Sequence, residues 1–270
     1  MNKILDEKPS AALLEFVELC AELTPQFDPT LGLSIIDNLI RKRDKKSYDS
    51  AVLAPTMDRL EKRWYDSLSR GTPDYSVYAD PYYFCDLWLC WITYSRKYLR
   101  DISSINSMRG RSVVQATGTA RSVLDLGCGA GYTTAALKQL YPAARVCGTN
   151  FPGSLQYALA SKMGEKYKFE ITGAPKEKVD LIYATEYFEH QQDPLLHLAA
   201  VLKTCQPQYL IIANTFNSPS IGHFDWYNHM GVAYPGRLIG LEFNRMLKVV
   251  GYQKIKTSCW NNRPSFWRLM

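Results

Sequence analysis

The sequence predicts an α/β protein in which a doubly wound parallel sheet, ending in an antiparallel hairpin, follows a mostly helical N-terminal module. Residues 10–68 carry apolar side chains at helical spacing in three segments, 10–24, 31–47 and 49–68. From residue 122 onward, short apolar runs alternate with helix-like segments, which is the pattern of a parallel sheet. Two strand-like segments at 252–260 and 265–270 close the chain. We therefore expect a helical module at 1–115 and an α/β domain at 116–270, joined by a linker near 109–120.

Composition places the chain among ordinary globular proteins. Of its 270 residues, 46% are hydrophobic and 21% are charged, and no apolar run is long enough to span a membrane. The first ten residues are polar and lack the apolar core of a signal peptide. The seven cysteines show no C-x-x-C pair, which is typical of free thiols in a reducing compartment. These features predict a cytoplasmic protein.

The net charge of +6 arises from residues 116–270, which hold 16 basic and 10 acidic side chains. Lysines 162, 166, 168, 176 and 178 surround the expected third strand, where they can either protect a sheet edge or follow a nucleic acid. A basic run at 41–46 has two similar interpretations, a solvated helix end or a contact with nucleic acid. Both alternatives stay open at the sequence level.

Residues 123–132, V-L-D-L-G-C-G-A-G-Y, combine a strand, an acid, a glycine-rich turn and the start of a helix. This arrangement presents backbone amides to a nucleotide-like ligand. The dinucleotide fingerprint requires its third glycine one residue later than here. The phosphate-loop pattern G-x-x-x-x-G-K-[ST] is also missing from the sequence.

The run resembles the first motif of the class I S-adenosylmethionine (SAM)-dependent methyltransferases. Residues 178–190, K-V-D-L-I-Y-A-T-E-Y-F-E-H, are similar to the fourth motif of that family, and the elements after residue 116 follow the family's order. The resemblance implies a seven-stranded Rossmann-like sheet and SAM as the cofactor. It also implies a set of cofactor contacts: Asp125, Gly127, Cys128, Gly129, Gly131, Asn150, Phe151, Thr185 and Glu186.

The chain departs from the family at Asn150, where the second strand should end in an acid that holds the ribose hydroxyls. An amide can bond both hydroxyls but carries no charge, so a weaker contact is expected. Phe151 could lie against the adenine ring or serve packing alone. The Asn150 departure is the one feature that favours a non-catalytic SAM-fold protein acting as a binding partner or scaffold.

Catalytic candidates follow from the needs of methyl transfer to a hydroxyl, which requires positioning and either a base or a metal. If a helical turn begins at residue 187, Glu186, Glu189 and His190 share one face. His223 and His229 lie on the loop after the fifth strand. We therefore predict His190, Glu186 and His223 as catalytic residues, with a structural role as the alternative.

The same residues suggest a second use, as ligands of a divalent cation. The E-x-x-E-H run with a later histidine is similar to the metal site of terminal small-RNA 2′-O-methyltransferases, and to an arrangement in 3-demethylubiquinone O-methyltransferases. On that resemblance, Glu186, Glu189, His190 and His223 would hold Mg²⁺ or Mn²⁺.

Residues 71–94 are unusually aromatic and are expected either to pack against the SAM domain or to form a lid over the substrate. The D-P-Y-Y run within them differs from the D-P-P-Y of DNA amino-methyltransferases by its missing second proline. The leading hypothesis is a SAM-dependent methyltransferase for a small-molecule or nucleotide-sized acceptor, directed to oxygen. The alternatives are a metal-assisted nucleic-acid methyltransferase, acting on DNA or a terminal RNA ribose, and the scaffold protein.

Overall fold

The computed structural model describes residues 3–270, with side chains from Ile4 onward. Up to residue 116 it is helical, with two π-helical turns at Ala54–Asp58 and Trp91–Ser95 and a 3₁₀ turn at Tyr75–Ala79. The α-helices are α1 (Lys3–Asp6), α2 (Pro9–Leu23), α3 (Pro29–Arg43), α4 (Ser50–Leu53), α5 (Arg59–Ser69), α6 (Tyr83–Cys90), α7 (Arg96–Ser103) and α8 (Val113–Ala116).

The rest of the chain builds one large sheet in the order β3-β2-β1-β4-β5-β9-β8, which confirms the predicted seven-stranded architecture. Five strands are parallel, namely β1 (Ser122–Asp125), β2 (Arg145–Thr149), β3 (Glu170–Thr172), β4 (Leu181–Thr185) and β5 (Tyr209–Ala213). The final two, β8 (Tyr252–Ile255) and β9 (Ser265–Leu269), pair antiparallel as predicted. The strand order reverses beside β1, so a crevice opens at the carboxyl ends of β1 and β4.

Helices cover both faces of this sheet: α9 (Tyr132–Leu140), α10 (Leu155–Tyr167), α11 (Pro194–Cys205) and α12 (Gly236–Val250). Every residue of β4 is buried, as expected for a central parallel strand. A second, two-stranded sheet consists of β6 (Trp226–His229) and β7 (Val232–Pro235). A loop was expected at residues 223–229. The turn signal is Gly231, which with Met230 adopts the positive φ angles of a tight hairpin.

The first long helix differs from its prediction at the N-terminus. The helical segment was expected over 10–24, but α2 begins at Pro9, and Lys8 occupies the cap position without a side-chain cap. Proline is favoured at the first helical position because its missing N–H would have no partner there. The third helix likewise begins at a proline, Pro29, with the Asp28 side chain accepting from two backbone amides.

Aromatic side chains join the helical region to the sheet domain. Trp88 packs on Phe16 with a 5.0 Å centroid separation, and Trp91 stacks on Tyr132 of α9 at 5.5 Å. One hydrophobic core extends from Ile4 to Trp267 across both regions. The proposed boundary at residue 115 stays a prediction. The aromatic segment 71–94 therefore packs against the sheet domain, which was one of its two expected roles. It also faces the cavity between the helices and the sheet.

Candidate active site

The glycine loop after β1 has the geometry that its sequence suggests. Gly127, Gly129 and Gly131 have φ angles of 68°, 53° and 88°, a region that strongly favours glycine. A β-carbon on Gly127 would collide with the ring of Tyr187, and one on Gly131 would lie 3.1 Å from the Met163 β-carbon. Gly131 thus serves helix packing, whereas Gly127 and Gly129 line the cavity.

A cavity of about 530 Å³ lies between this loop, the ends of the parallel strands and the helical region. Its volume falls within the range of about 300–1,000 Å³ that is typical of small-molecule sites. Cys128, Thr185 and Glu186, which were predicted to contact the cofactor, also line this cavity, and the contacts themselves stay predictions. The opposite wall comes from the continuous helix of α6, a π-turn and α7: Tyr83, Asp86, Leu87, Leu89, Cys90, Trp91, Tyr94, Ser95 and Tyr98.

Asp125 closes the strand end of the cavity. Its side chain is only 2% exposed and accepts a 2.6 Å hydrogen bond from Thr134 Oγ1. Burial raises the pKa of this carboxyl to about 7. Asp125 therefore stabilises the fold in its protonated form, which links stability to pH.

We expect Asp125→Asn to flatten the pH dependence of unfolding. The folded-state pKa lies above the unfolded value, so the stabilising contribution of Asp125 is lost as pH rises from about 4 through 7. The variant should gain stability relative to the wild type over that window, by at most about 4 kcal/mol. Urea unfolding at pH 5 and pH 8 measures this gain, with exposed Asp225→Asn as the control. Parallel pH curves for wild type and Asp125→Asn would contradict the prediction.

Asn150 and Phe151 follow β2 at the same edge of the sheet but do not line the cavity. The Asn150 amide donates to the Gly129 carbonyl at 2.9 Å, and its oxygen accepts from the Phe151 backbone at 3.1 Å. The Phe151 side chain is 71% exposed. Asn150 thus braces the glycine loop, and contacts of either residue with the cofactor stay predictions.

Glu186 and Glu189 form a carboxyl pair at the end of β4. Glu186 adopts a left-handed φ of 51°, a strained conformation that clusters at functional sites. Tyr98 donates to Glu186 Oε1 at 3.2 Å. Glu189 is fully buried and accepts from the Thr215 backbone N–H at 2.7 Å. Burial raises the pKa of both groups, and the Glu186 charge adds to the rise at Glu189.

His190 and His223 form an imidazole pair on the cavity wall. Their ring centroids are 4.7 Å apart, with the rings nearly perpendicular. His190 Nδ1 lies 3.0 Å from the Tyr78 hydroxyl. His223 Nδ1 donates to the Ser218 carbonyl at 2.7 Å, which leaves Nε2 as the unprotonated nitrogen of a neutral ring.

Both imidazoles are neutral at physiological pH. Burial, together with the neighbouring His223, lowers the pKa of His190 to about 3. Burial also lowers the pKa of His223. Gly222 lets the loop that carries His223 approach Tyr78 and His190 closely, because a β-carbon on Gly222 would collide with both side chains. Trp64 of α5 donates to the His223 carbonyl at 2.6 Å and so fixes the loop from the helical region.

The four predicted metal ligands are not brought together as one set. Glu189 turns away from the cavity toward the Thr215 amide, and Asn214, with its amide nitrogen toward Glu189, donates to Oε2 at 3.2 Å. Within residues 3–270, no group of three or more histidine, cysteine or acidic side chains could hold a metal ion. His229 pairs with Asp193 at 3.0 Å, outside the cavity lining. The site as built does not fit a divalent cation.

Several lining residues were not among the sequence-based candidates. Tyr98 lies one helical turn beyond Tyr94, a spacing that could have extended the aromatic pattern by four residues. Arg263 was placed only in a turn, yet it donates to Thr215 Oγ1 at 2.7 Å and its charge stabilises the Glu186 carboxylate. No sequence signal marks Arg263, because it reaches the cavity through the pairing of β9 with β5.

Comparison with known proteins agrees with this architecture. The model of a family described as "Methyltransferase domain" matches residues 95–262. Malonyl-[acyl-carrier protein] O-methyltransferase of Hahella chejuensis is 24% identical over 143 residues, 49% of this chain and 51% of that protein. Ubiquinone biosynthesis O-methyltransferase of Rhodopseudomonas palustris is 26% identical over 176 residues, 63% of this chain and 62% of that protein. The matched part of this chain thus covers between half and two thirds of the length of these relatives.

Solved structures with a related arrangement include two methyltransferases. The plantazolicin methyltransferase in complex with a desmethyl analogue and S-adenosylhomocysteine (SAH) is 19% identical, with a TM-score of 0.41, covering 59% of this chain and 61% of that one. The mitomycin 7-O-methyltransferase is 12% identical, with a TM-score of 0.44, covering 78% and 66%.

The sheet order, the glycine loop at the β1 switch point and the adjoining cavity define a class I SAM-dependent methyltransferase. The family match covers more than half of the chain, so this protein belongs to the methyltransferase domain family. Membership of this family disfavours the scaffold alternative. Among the helices of residues 3–270, none has the length and apolar character needed to cross a membrane.

Proposed function

We propose that this enzyme methylates a hydroxyl oxygen of a small organic acceptor held in the cavity. The observation that carries the proposal is the neutral His190–His223 pair, which lines the same cavity as Gly127 and Gly129. A hydroxyl becomes a better nucleophile when a positioned base accepts its proton. The two curated relatives are O-methyltransferases by name, which supports the same acceptor atom.

In this proposal, different residues bind the cofactor, accept the proton and orient the acceptor. Gly127, Cys128 and Gly129 hold the cofactor, which supplies the methyl group on a sulfonium. His223 Nε2 accepts the hydroxyl proton, because its Nδ1–H is already committed to the Ser218 carbonyl. His190 fixes the position of that imidazole, and Glu186 orients the acceptor from the end of β4. The aromatic wall from Tyr83 to Tyr98 excludes water.

A small acceptor is favoured over nucleic acid because the basic run at 41–46 is partly neutralised by nearby acids. Arg41 pairs with Asp37 at 2.6 Å, and Lys42 pairs with Asp58 at 3.0 Å. Asp44 takes both Arg43 and Lys46 as partners. These acids weaken the attraction of the run for a phosphate backbone.

The proposal is tested by following isotopically labelled methyl groups from SAM into fractions of a cell extract. We expect label in the small-molecule filtrate, in a product whose fragmentation shows an O-methyl group, and no effect of a chelator. Protein, RNA and DNA fractions serve as parallel acceptors. Label that appears in RNA or DNA, or only on nitrogen, would contradict the proposed acceptor class while leaving the cofactor assignment intact.

A further inference from the structure

Asp86 of α6 is a cavity carboxylate that the proposed chemistry leaves unused. It lines the cavity from the helical side. The next residue, Leu87, approaches the glycine loop closely: its Cδ2 lies 3.5 Å from the position of a β-carbon on Gly129. This turn of α6 therefore faces the part of the cavity that the glycine loop forms.

Asp86 is also unusual in having no hydrogen-bond donor. Among the aspartates in the described part of the chain, only Asp6, Asp86 and Asp225 lack a hydrogen bond or an ion pair, and the other two are exposed. Asp86 is half-buried. Its carboxylate lines the cavity without a donor from the described chain, so it is available to a donor on a ligand.

The surroundings of Asp86 favour a cation. Asp86 and Glu186 line the same cavity, and both negative charges act on Cys90 and Tyr94 of its helical wall. Arg263 offsets Glu186, and the two cavity imidazoles are neutral. Burial and the nearby Glu61 raise the pKa of Asp86 to about 6, which still leaves it mostly ionised at pH 7.5. The aromatic faces of Trp91 and Tyr94 on the same wall can also attract a positive group.

We propose that Asp86 binds a primary ammonium group of a ligand in this cavity. The inference rests on the proposed function in that it takes the cavity as the cofactor and acceptor site. An ammonium group brings three donors to a carboxylate. Two sources carry this chemistry: the α-amino group of SAM and an amine on the acceptor. The contact between Leu87 and the glycine loop favours the cofactor.

The test uses calorimetric binding to the full chain with two matched ligand pairs. The first pair is SAH and an SAH analogue lacking the α-amino group. The second pair, titrated in the presence of SAH, is tyramine and 4-ethylphenol, which differ only in the ammonium group. The variant is Asp86→Asn, which preserves shape and removes charge. The control is Glu61→Gln, a neighbouring carboxylate outside the cavity lining.

We expect Asp86→Asn to weaken SAH binding by about 10- to 100-fold and to leave binding of the deamino analogue unchanged. Glu61→Gln should bind both like the wild type. If the variant retains SAH affinity but loses a preference for tyramine over 4-ethylphenol, the ammonium belongs to the acceptor, and the proposal also stands. If Asp86→Asn discriminates within both ligand pairs as the wild type does, the proposal is overturned. The same conclusion holds if turnover falls while binding does not change, because Asp86 would then act as a base. Wild-type protein that binds no SAH would overturn the cofactor site itself, a separate outcome.

Discussion

Replacing His223 by asparagine is expected to lower turnover by about 10²- to 10⁴-fold, the contribution typical of a general base. The asparagine amide nitrogen can take the place of Nδ1 and still donate to the Ser218 carbonyl, whereas nothing replaces Nε2. The fold and the cofactor site should therefore persist. The measurement is SAH release with an acceptor identified by the labelling experiment, together with SAH affinity and urea unfolding.

Two matched variants make this result specific. His190→Asn preserves a hydrogen-bonding group toward Tyr78 and should cost less than His223→Asn, because His190 acts by positioning its neighbour. His229→Asn removes an imidazole that pairs with Asp193 outside the cavity and should leave turnover unchanged. Full activity in His223→Asn would contradict the assigned base.

The pH profile offers a further check on the same pair. The active form is the neutral imidazole, and the pKa of each ring is lowered by burial. Activity should therefore hold as pH falls from 8 to the ordinary histidine range near 6.5, and decline only below it. A loss of activity centred at or above pH 6.5 would indicate that another group controls the reaction.

The second large effect is expected at the glycine loop, where Gly129→Val should weaken SAH binding by at least about 100-fold, or about 3 kcal/mol. A β-branched side chain disfavours the φ of 53° and would project toward Leu87 and the cavity. Calorimetric titration with SAH measures the loss.

Gly110→Val is the matched control for backbone strain. Gly110 has a φ of 76°, and a β-carbon there would meet nothing within 4 Å. Both variants should lose similar stability, but only Gly129→Val should lose SAH affinity. Wild-type affinity in Gly129→Val would contradict the placement of the cofactor at this loop.

The backbone at residues 186–190 differs from the helical turn that the sequence predicts. Glu186, Glu189 and His190 were expected on one helical face. Instead Glu186 takes a left-handed conformation, and only Phe188–His190 forms a short 3₁₀ turn. The side chains diverge: Glu189 bonds the Thr215 amide, and His190 bonds Tyr78. Spacing alone cannot reveal this, because partners 26 and 112 residues away decide the local backbone and the side-chain directions.

The sequence by itself determined the strand–glycine–helix unit at residues 123–132 and the order of the elements after it, and the family resemblance of these motifs implied the cofactor. These features are local, since periodicity, glycine positions and turn residues act over a few residues. Only the tertiary structure decided how the rest of the cavity is built. Asp86, Tyr98, His190, His223 and Arg263 lie far apart in the chain and meet at one cavity. They meet because parallel strands end at the same sheet edge and because the N-terminal helices close over it, a consequence of long-range packing that no local pattern encodes.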